Sequence, residues 1–194
     1  GSRLLIEESI YDIFLEMVIE QAKKWEVGNP LNSATNMGAI ISKSQIDSIQ
    51  RYVQIGKDEG AHLLYGGDVT QVEAGGYYHQ ATIFSEVDNK MRIAQEEIFG
   101  PVLSAIKFKD LDDAIRIAND SLYGLAGAVW SQNINTAHKV ATGVRTGTMG
   151  VNNYFGGDMS VPFGGFKESG NGRDKSMHAM DDYTELKTTW IEFS

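Results

Sequence analysis

A three-layer α/β sandwich, with helices on both faces of a mainly parallel sheet, is the fold class that this 194-residue chain predicts. Three observations carry it. After Pro101, strand-like and helix-like segments alternate at lengths that suit right-handed crossovers between parallel strands. A hydrophobic share of 42% and an aromatic share of 10% are enough to bury a sizeable core at this length. No internal repeat or low-complexity tract interrupts the chain.

Taken in order, Arg3-Leu4-Leu5-Ile6 reads as the end of a strand. From Glu8, the apolar residues Ile10, Phe14, Val18 and Ala22 recur at every fourth position, and Tyr11, Leu15 and Trp25 widen the stripe. This is an amphipathic helix running to about Trp25. Acids open it and Lys23-Lys24 close it, as the helix dipole favours. Gly28-Asn29-Pro30 ends the helix and starts a loop to Ile41, anchored by Met37 and Ile40. A second helix begins at a serine cap, Ser42 or Ser44, and turns Ile46, Ile49, Tyr52, Val53 and Ile55 inward before Gly56 and Gly60. Leu63-Leu64-Tyr65 is a short strand closed by Gly66-Gly67, Gly75-Gly76 marks a turn, and Tyr77 to Val87 is extended. The clearest part follows: strand Val102 to Phe108, helix Leu111 to Asn119, strand Leu125 to Trp130, helix Asn133 to Val144 and strand Thr148 to Val151. A short helix starts near Asp174, and Leu186, Thr188, Trp190 and Glu192 alternate along a terminal strand. Residues 1–182 are therefore expected to form one domain, and 183–194 a strand that pairs outside it.

Composition narrows the function. With 17 basic against 26 acidic residues, a formal charge of -9 repels phosphate backbones and argues against nucleic acid as a general partner. No apolar run approaches a membrane span and no signal-peptide pattern opens the chain, so it reads as soluble and cytoplasmic, with no membrane partner. Cysteine is absent, which excludes disulfides, thiolate metal sites and a thiol nucleophile supplied by these residues. His62, His79, His138 and His178 are scattered without metal-ligand spacing, so no metal site is expected.

Two stretches stand out from the packing pattern. In Ala94 to Pro101, the acids Glu96 and Glu97 and the ring of Phe99 precede a rigid Gly100-Pro101 corner and an apolar strand. An acid suits ribose hydroxyls and a ring face suits a base, so the stretch is either a clamp on the two ends of a nucleoside or an exposed connector with Ile98 and Phe99 packed beneath it. The second stretch, Val161 to Arg173, holds Gly164, Gly165, Gly170 and Gly172. Its spacing matches neither a P-loop nor a dinucleotide fingerprint, and only Lys167 and Arg173 bring positive charge, so a structural loop around a site is the better reading.

Glu96-Glu97-Ile98-Phe99-Gly100-Pro101 and Pro162-Phe163-Gly164-Gly165-Phe166-Lys167 with Ser169-Gly170 and Gly172-Arg173 stand in the order and spacing of a known family. Together with Gly1-Ser2-Arg3 and the terminal Tyr183 to Thr188 stretch, they make the chain resemble the C-terminal, catalytic-domain part of the aldehyde dehydrogenase superfamily over essentially its whole length. The resemblance implies oxidation of an aldehyde to a carboxylic acid through a cysteine thiohemiacetal, with hydride passing to NAD or NADP. It also implies that the nucleophilic cysteine, the general-base glutamate and the main dinucleotide domain lie upstream of Gly1, so that the piece alone is inactive. By position, Glu97 would bind the nicotinamide ribose, Phe99 would pack near the nicotinamide, and Gln45 would reach the same ribose. Phe163, Tyr154 and Asp158 would face the aldehyde. The loop Asn152 to Met159 looks most like that of enzymes acting on ω-amino or γ-glutamylamino aldehydes, with Asp158 pairing a substrate amine or serving only as a turn residue. Lys167 and Gly170 match a monovalent-cation position of some relatives, against a plain loop constraint. A homodimer or homotetramer joined through the last strand is implied. Two rivals stay open: a catalytically silent assembly module, and a partial nucleotide binder with other chemistry.

Overall fold

The computed structural model describes residues 1–70, 75–154 and 156–194. They form two compact units, Gly1–Asp120 and Ser121–Ser194, so the division falls inside the span expected as one domain.

The first unit is built on a four-stranded sheet of β1 (Arg3–Glu7), β6 (Val102–Phe108), β5 (Thr82–Ser85) and β2 (His62–Tyr65), in that spatial order. β1, β6 and β5 are parallel, with Leu5 opposite Ile106 and Phe84 opposite Ser104, and β2 is an antiparallel edge. Successive side chains of a strand point to opposite faces, and the core divides accordingly. Phe84, Val102 and Ile106 share one cluster with Ile49 and Val53 of α2 (Lys43–Asp58), Ile93 of α3 (Arg92–Gln95) and Ile117 of α4 (Leu111–Asn119). Ile6, Ile83 and Ala105 share the other with Tyr11 and Leu15 of α1 (Tyr11–Ala22). Both faces of the sheet are thus covered by helices, as expected. Arg3 ties β1 to α4 by donating to the carbonyls of Ile117 and Ala118 at 3.0 and 2.9 Å. A small ribbon, β3 (Val69–Thr70) with β4 (Tyr78–His79), lies outside the main sheet.

Helix limits follow local chemistry. Ser42 rather than Ser44 caps α2, its hydroxyl accepting from the Gln45 amide, and Asp110 caps α4 by accepting from the Asp113 amide. The helix α2 passes through Gly56, where the sequence suggested an end, because a β-carbon there would come within 3.1 Å of both Phe84 and Ile93. The glycine serves close packing and does not break the helix. α1 is preceded by a 3-10 turn, Glu8–Ile10, and ends at Ala22, short of Trp25. The four-residue α3 lies where the sequence suggested no element, being too short to show a period.

In the second unit, β8 (Ala126–Val129) and β9 (Thr148–Val151) pair in parallel on either side of α5 (Ile134–Gly143). β7 (Tyr123–Gly124) pairs antiparallel with β10 (Phe166–Lys167). The helix expected near Asp174 is a 3-10 segment, Met177–Asp182. Residues 183–194 form no strand in this chain, and Leu186, Trp190 and Phe193 are exposed. A strand satisfies its backbone only through a neighbour, and none pairs with this segment among the described residues.

Candidate functional site

One face of α2 forms the seat of the site. Gln45, Ile49 and Tyr52 fall three and four residues apart, the spacing that stacks side chains along a helix face. Each grips a different point of the Glu96–Pro101 turn. Gln45 Nε2 donates to the carbonyls of Ile98 at 2.9 Å and Phe99 at 3.0 Å. Ile49, fully buried, fills the space under Gly100, where a β-carbon would stand 2.6 Å from its Cγ1. The Tyr52 hydroxyl donates to Glu96 Oε2 at 2.7 Å.

The two adjacent acids have separate fates. Glu96 is half-buried and receives a bidentate pair from Arg92, Nε to Oε1 at 2.7 Å and Nη2 to Oε2 at 2.9 Å. The Arg92 bond first, and the Tyr52 bond second, pull its carboxyl from 4.5 down to about 2. The same contact raises the Tyr52 hydroxyl, chiefly through the Glu96 carboxylate. Glu96 has backbone angles of φ -107 and ψ 150, and in extended backbone neighbouring side chains point apart. Glu97 is exposed and, among the described residues, its carboxylate has no hydrogen-bond or ion-pair partner. Phe99 stands 75% exposed on a left-handed backbone, φ +52, a conformation disfavoured for a bulky residue. Such strain persists only where the surroundings over-determine it, and here the Gln45 clamp does so. A shallow recess of about 280 Å³, lined by Ala39, Ile40, Ile41, Gln45 and Phe99, lies alongside.

Thus Gln45, Glu97 and Phe99, three of the residues singled out from sequence, come together, with the Gln45 amide donors spent on the turn itself. Tyr52 was read as an inward apolar position and Arg92 was not singled out. The signal for Arg92 was its four-residue spacing from Glu96; that for Tyr52 was its place on the helix face that carries Gln45.

In the second unit, Phe163 is 39% exposed and bridges Asp174, each amide donating to the other carbonyl at 2.8 and 2.7 Å. The Lys175 ammonium lies 5.6 Å from its ring centre. Tyr154 is exposed, and Phe155 lies outside the described residues. Asp158 Oδ1 accepts from both the amide and the hydroxyl of Ser160, at 2.7 and 2.5 Å, and the Ser160 hydroxyl is the main cause of its lowered pKa. Asp158 therefore does serve the turn. The two cations of the glycine-rich stretch face backbone: Lys167 Nζ donates to the Ser121 carbonyl at 2.9 Å, and Arg173 Nη1 to the carbonyls of Gly165 and Gly172 at 2.9 and 2.6 Å. The Lys167 carbonyl itself accepts from the Gly170 amide at 3.3 Å. Among the described residues, no cluster of potential metal ligands forms, and no helix is long and apolar enough to cross a membrane.

The aldehyde dehydrogenase family model matches residues 1–189. The chain belongs to the aldehyde dehydrogenase family. Curated aldehyde dehydrogenases align along nearly all of it: the NADP/NAD-dependent aldehyde dehydrogenase PuuC of Escherichia coli is 47% identical over 98% of the chain, and aldehyde dehydrogenase 1A1 of Mesocricetus auratus is 48% identical over all of it. In each case the chain spans 38% of the relative's own length. Among solved aldehyde dehydrogenases, the P. syringae indole-3-acetaldehyde dehydrogenase AldA, in complex with NAD+ and IAA, is 56% identical and superposes with a TM-score of 0.95, over 100% of this chain and 39% of that one. An apo betaine aldehyde dehydrogenase from Staphylococcus aureus is 38% identical, with a TM-score of 0.91, over 94% of this chain and 37% of that one. The α/β fold with a largely parallel sheet is that of the aldehyde dehydrogenase catalytic domain.

Proposed function

We propose that this chain is the cofactor-facing and substrate-facing part of an NAD(P)-dependent aldehyde dehydrogenase that oxidises an aldehyde to a carboxylic acid. The carrying observation is Glu97, an exposed carboxylate left unpartnered among the described residues, beside a ring held on strained backbone. Such a group fits a ribose. One carboxylate accepts from two vicinal hydroxyls, and hydrogen bonds to a charged group are worth about 1.5 to 3 kcal/mol each. Phe99 would flank the nicotinamide, and Gln45, through the carbonyls it holds, sets where both stand. When bound, the nicotinamide supplies the hydride acceptor. The chain holds no cysteine, so the thiol that attacks the aldehyde must come from outside these 194 residues. The chain by itself is accordingly expected to produce no NADH from NAD+ and aldehyde.

For the substrate, the reading is an ω-amino or γ-glutamylamino aldehyde. Phe163 and Tyr154 would line its carbon chain, and Asp158 would meet its amine or amide. Asp158 supports this by being exposed and held ionised, with its bonds to Ser160 both falling on Oδ1. A homodimer or homotetramer built through residues 183–194 is proposed for the whole protein; the exposed Leu186, Trp190 and Phe193 support it.

Two variants of the whole protein test this. Glu97→Gln should weaken NAD+ binding about tenfold, and unchanged affinity together with unchanged turnover would overturn the cofactor role. Asp158→Asn should raise KM for ω-aminoaldehydes while sparing indole-3-acetaldehyde; equal effects on both would overturn the amino-aldehyde reading.

A further inference from the structure

Glu97 lies between two grips of one helix. On one side, Gln45 holds the carbonyls of Ile98 and Phe99; on the other, Tyr52 holds the Glu96 carboxylate. Arg92 completes the second grip with its bidentate pair, and its guanidinium carbon lies 5.8 Å from the centre of the Tyr52 ring. The Arg92 amide is fixed in turn by Glu59 Oε2 at 2.8 Å, just beyond the end of α2. Both Glu96 oxygens are thus engaged, Oε1 by Arg92 and Oε2 by Arg92 and Tyr52.

Stability alone is a poor explanation for so complete a network. The Arg92 and Glu96 side chains are 50% and 39% exposed, and pairs this open to water add little to folding. What the network does fix is direction. With Glu96 drawn onto α2 in extended backbone, its neighbour must face the other way. Glu97 therefore owes its outward orientation to bonds made by the acid beside it.

We propose that Tyr52 and Glu96 are positioning residues for the dinucleotide: hydrogen-bonded to each other and, through Glu96, to Arg92, they hold the Glu96–Glu97 peptide on α2 so that the Glu97 carboxylate is presented to the ribose. The inference rests on the Glu97 reading above and adds to it the groups that make Glu97 effective. A positioning role predicts coupling: disturbing the brace matters only while Glu97 is there to be positioned.

The test uses the whole protein, with NAD+ affinity, KM for the aldehyde and the thermal midpoint measured for Tyr52→Phe, Glu96→Gln, Glu97→Gln and the two doubles with Glu97→Gln. Each brace variant should raise the NAD+ Kd about three- to tenfold, with the aldehyde KM and the midpoint nearly unchanged, and should add nothing in the Glu97→Gln background. Additive effects in the doubles would overturn the proposal. So would unchanged NAD+ affinity in both brace variants while Glu97→Gln weakens it, an outcome that leaves the Glu97 role standing. If Glu97→Gln has no effect, the cofactor reading fails and this inference falls with it.

Discussion

Replacing Gly100 by alanine isolates the contact between the motif and its helical seat. A β-carbon there would stand 2.6 Å from Ile49 Cγ1, 2.7 Å from Cδ1 and 3.3 Å from Cγ2. Carbon atoms rest at about 3.5 to 4.0 Å, so roughly 1 Å of separation must be found. Ile49 is fully buried and cannot swing aside. The far side of the turn is held too, since the Val102 amide donates to the Gly100 carbonyl at 2.8 Å and the Thr82 amide to the Pro101 carbonyl at 2.7 Å. The turn must lift, stretching the Gln45 bonds to Ile98 and Phe99. Overpacking of this kind costs about 1 to 3 kcal/mol. Gly100 is not among the positive-φ residues, so backbone strain does not confuse the result. Ile49→Ala removes all three clashing atoms and alone costs about 2 to 5 kcal/mol through the cavity it leaves. In that background, the Gly100→Ala methyl occupies part of the cavity and should cost close to nothing, a coupling of about 1 to 3 kcal/mol. Urea unfolding of the whole protein carrying each single and the double substitution measures the cycle, and NAD+ titration reports whether the turn has moved. Equal destabilisation by Gly100→Ala in both backgrounds would refute the packing argument.

Three further outcomes are expected. The ordinary Glu96 value of 4.5 falls to about 2 in the fold, so its contribution to stability is complete above about pH 4.5 and is lost as pH falls toward 2. The Arg92 and Glu96 side chains are both open to water, so this contribution is small, and a carboxyl-carbon NMR titration of the whole protein is the direct measurement: Glu96 should titrate near 2, and an ordinary carboxylate pKa would contradict the assignment. His79 is buried, its Nδ1 donating to the Gln80 carbonyl at 2.7 Å and its Nε2 accepting from Gln50 at 2.7 Å, and burial lowers its pKa below 6.5. Only the unfolded chain then takes up the proton just below pH 6.5, so stability present above that pH is lost as pH falls, and His79→Gln should flatten the change between pH 7.5 and 5.5 seen by thermal unfolding. Gly147→Ala would put a β-carbon 1.6 Å from the Gly164 carbonyl oxygen, a backbone atom that cannot yield, and should destabilise by more than about 3 kcal/mol, while a wild-type thermal midpoint would show that the two segments are not so close.

What the sequence made legible follows element length and the range of the contacts. The helix Leu111–Asn119, the start of the helix Lys43–Asp58 and the strands Val102–Phe108 and Thr148–Val151 carry caps or periods within their own residues, and these placed them to within a residue or two. Two-residue strands such as Tyr123–Gly124 and Phe166–Lys167 have no period to read, and exist because each finds the other 42 to 44 residues away. Leu186, Thr188, Trp190 and Glu192 do have the strand period, yet alternation cannot supply a ladder partner. The passage through Gly56 was equally hidden, because its reason is the approach of Phe84 and Ile93 from distant segments.

The motifs were recognisable as strings, but the division of labour inside them was not. Glu96 and Glu97 are the same chemical group one residue apart, and composition cannot rank them. Arg92, four residues before, and Tyr52, on another helix, select Glu96 for the interior of the network and thereby leave Glu97 to face outward. The glycine-rich stretch resolves in the same manner. The structural loop read there agrees with the geometry, since Lys167 and Arg173 donate to carbonyls of the loop and its neighbour, and Arg173 also lies 5.0 Å from the Phe166 ring centre. Their charge stabilises backbone that glycine leaves without side-chain support. In the Glu96–Pro101 turn, the exposed charge left unpaired among the described residues is the Glu97 carboxylate. A group that accepts and never donates suits the hydroxyls of a sugar better than the phosphates of the same nucleotide.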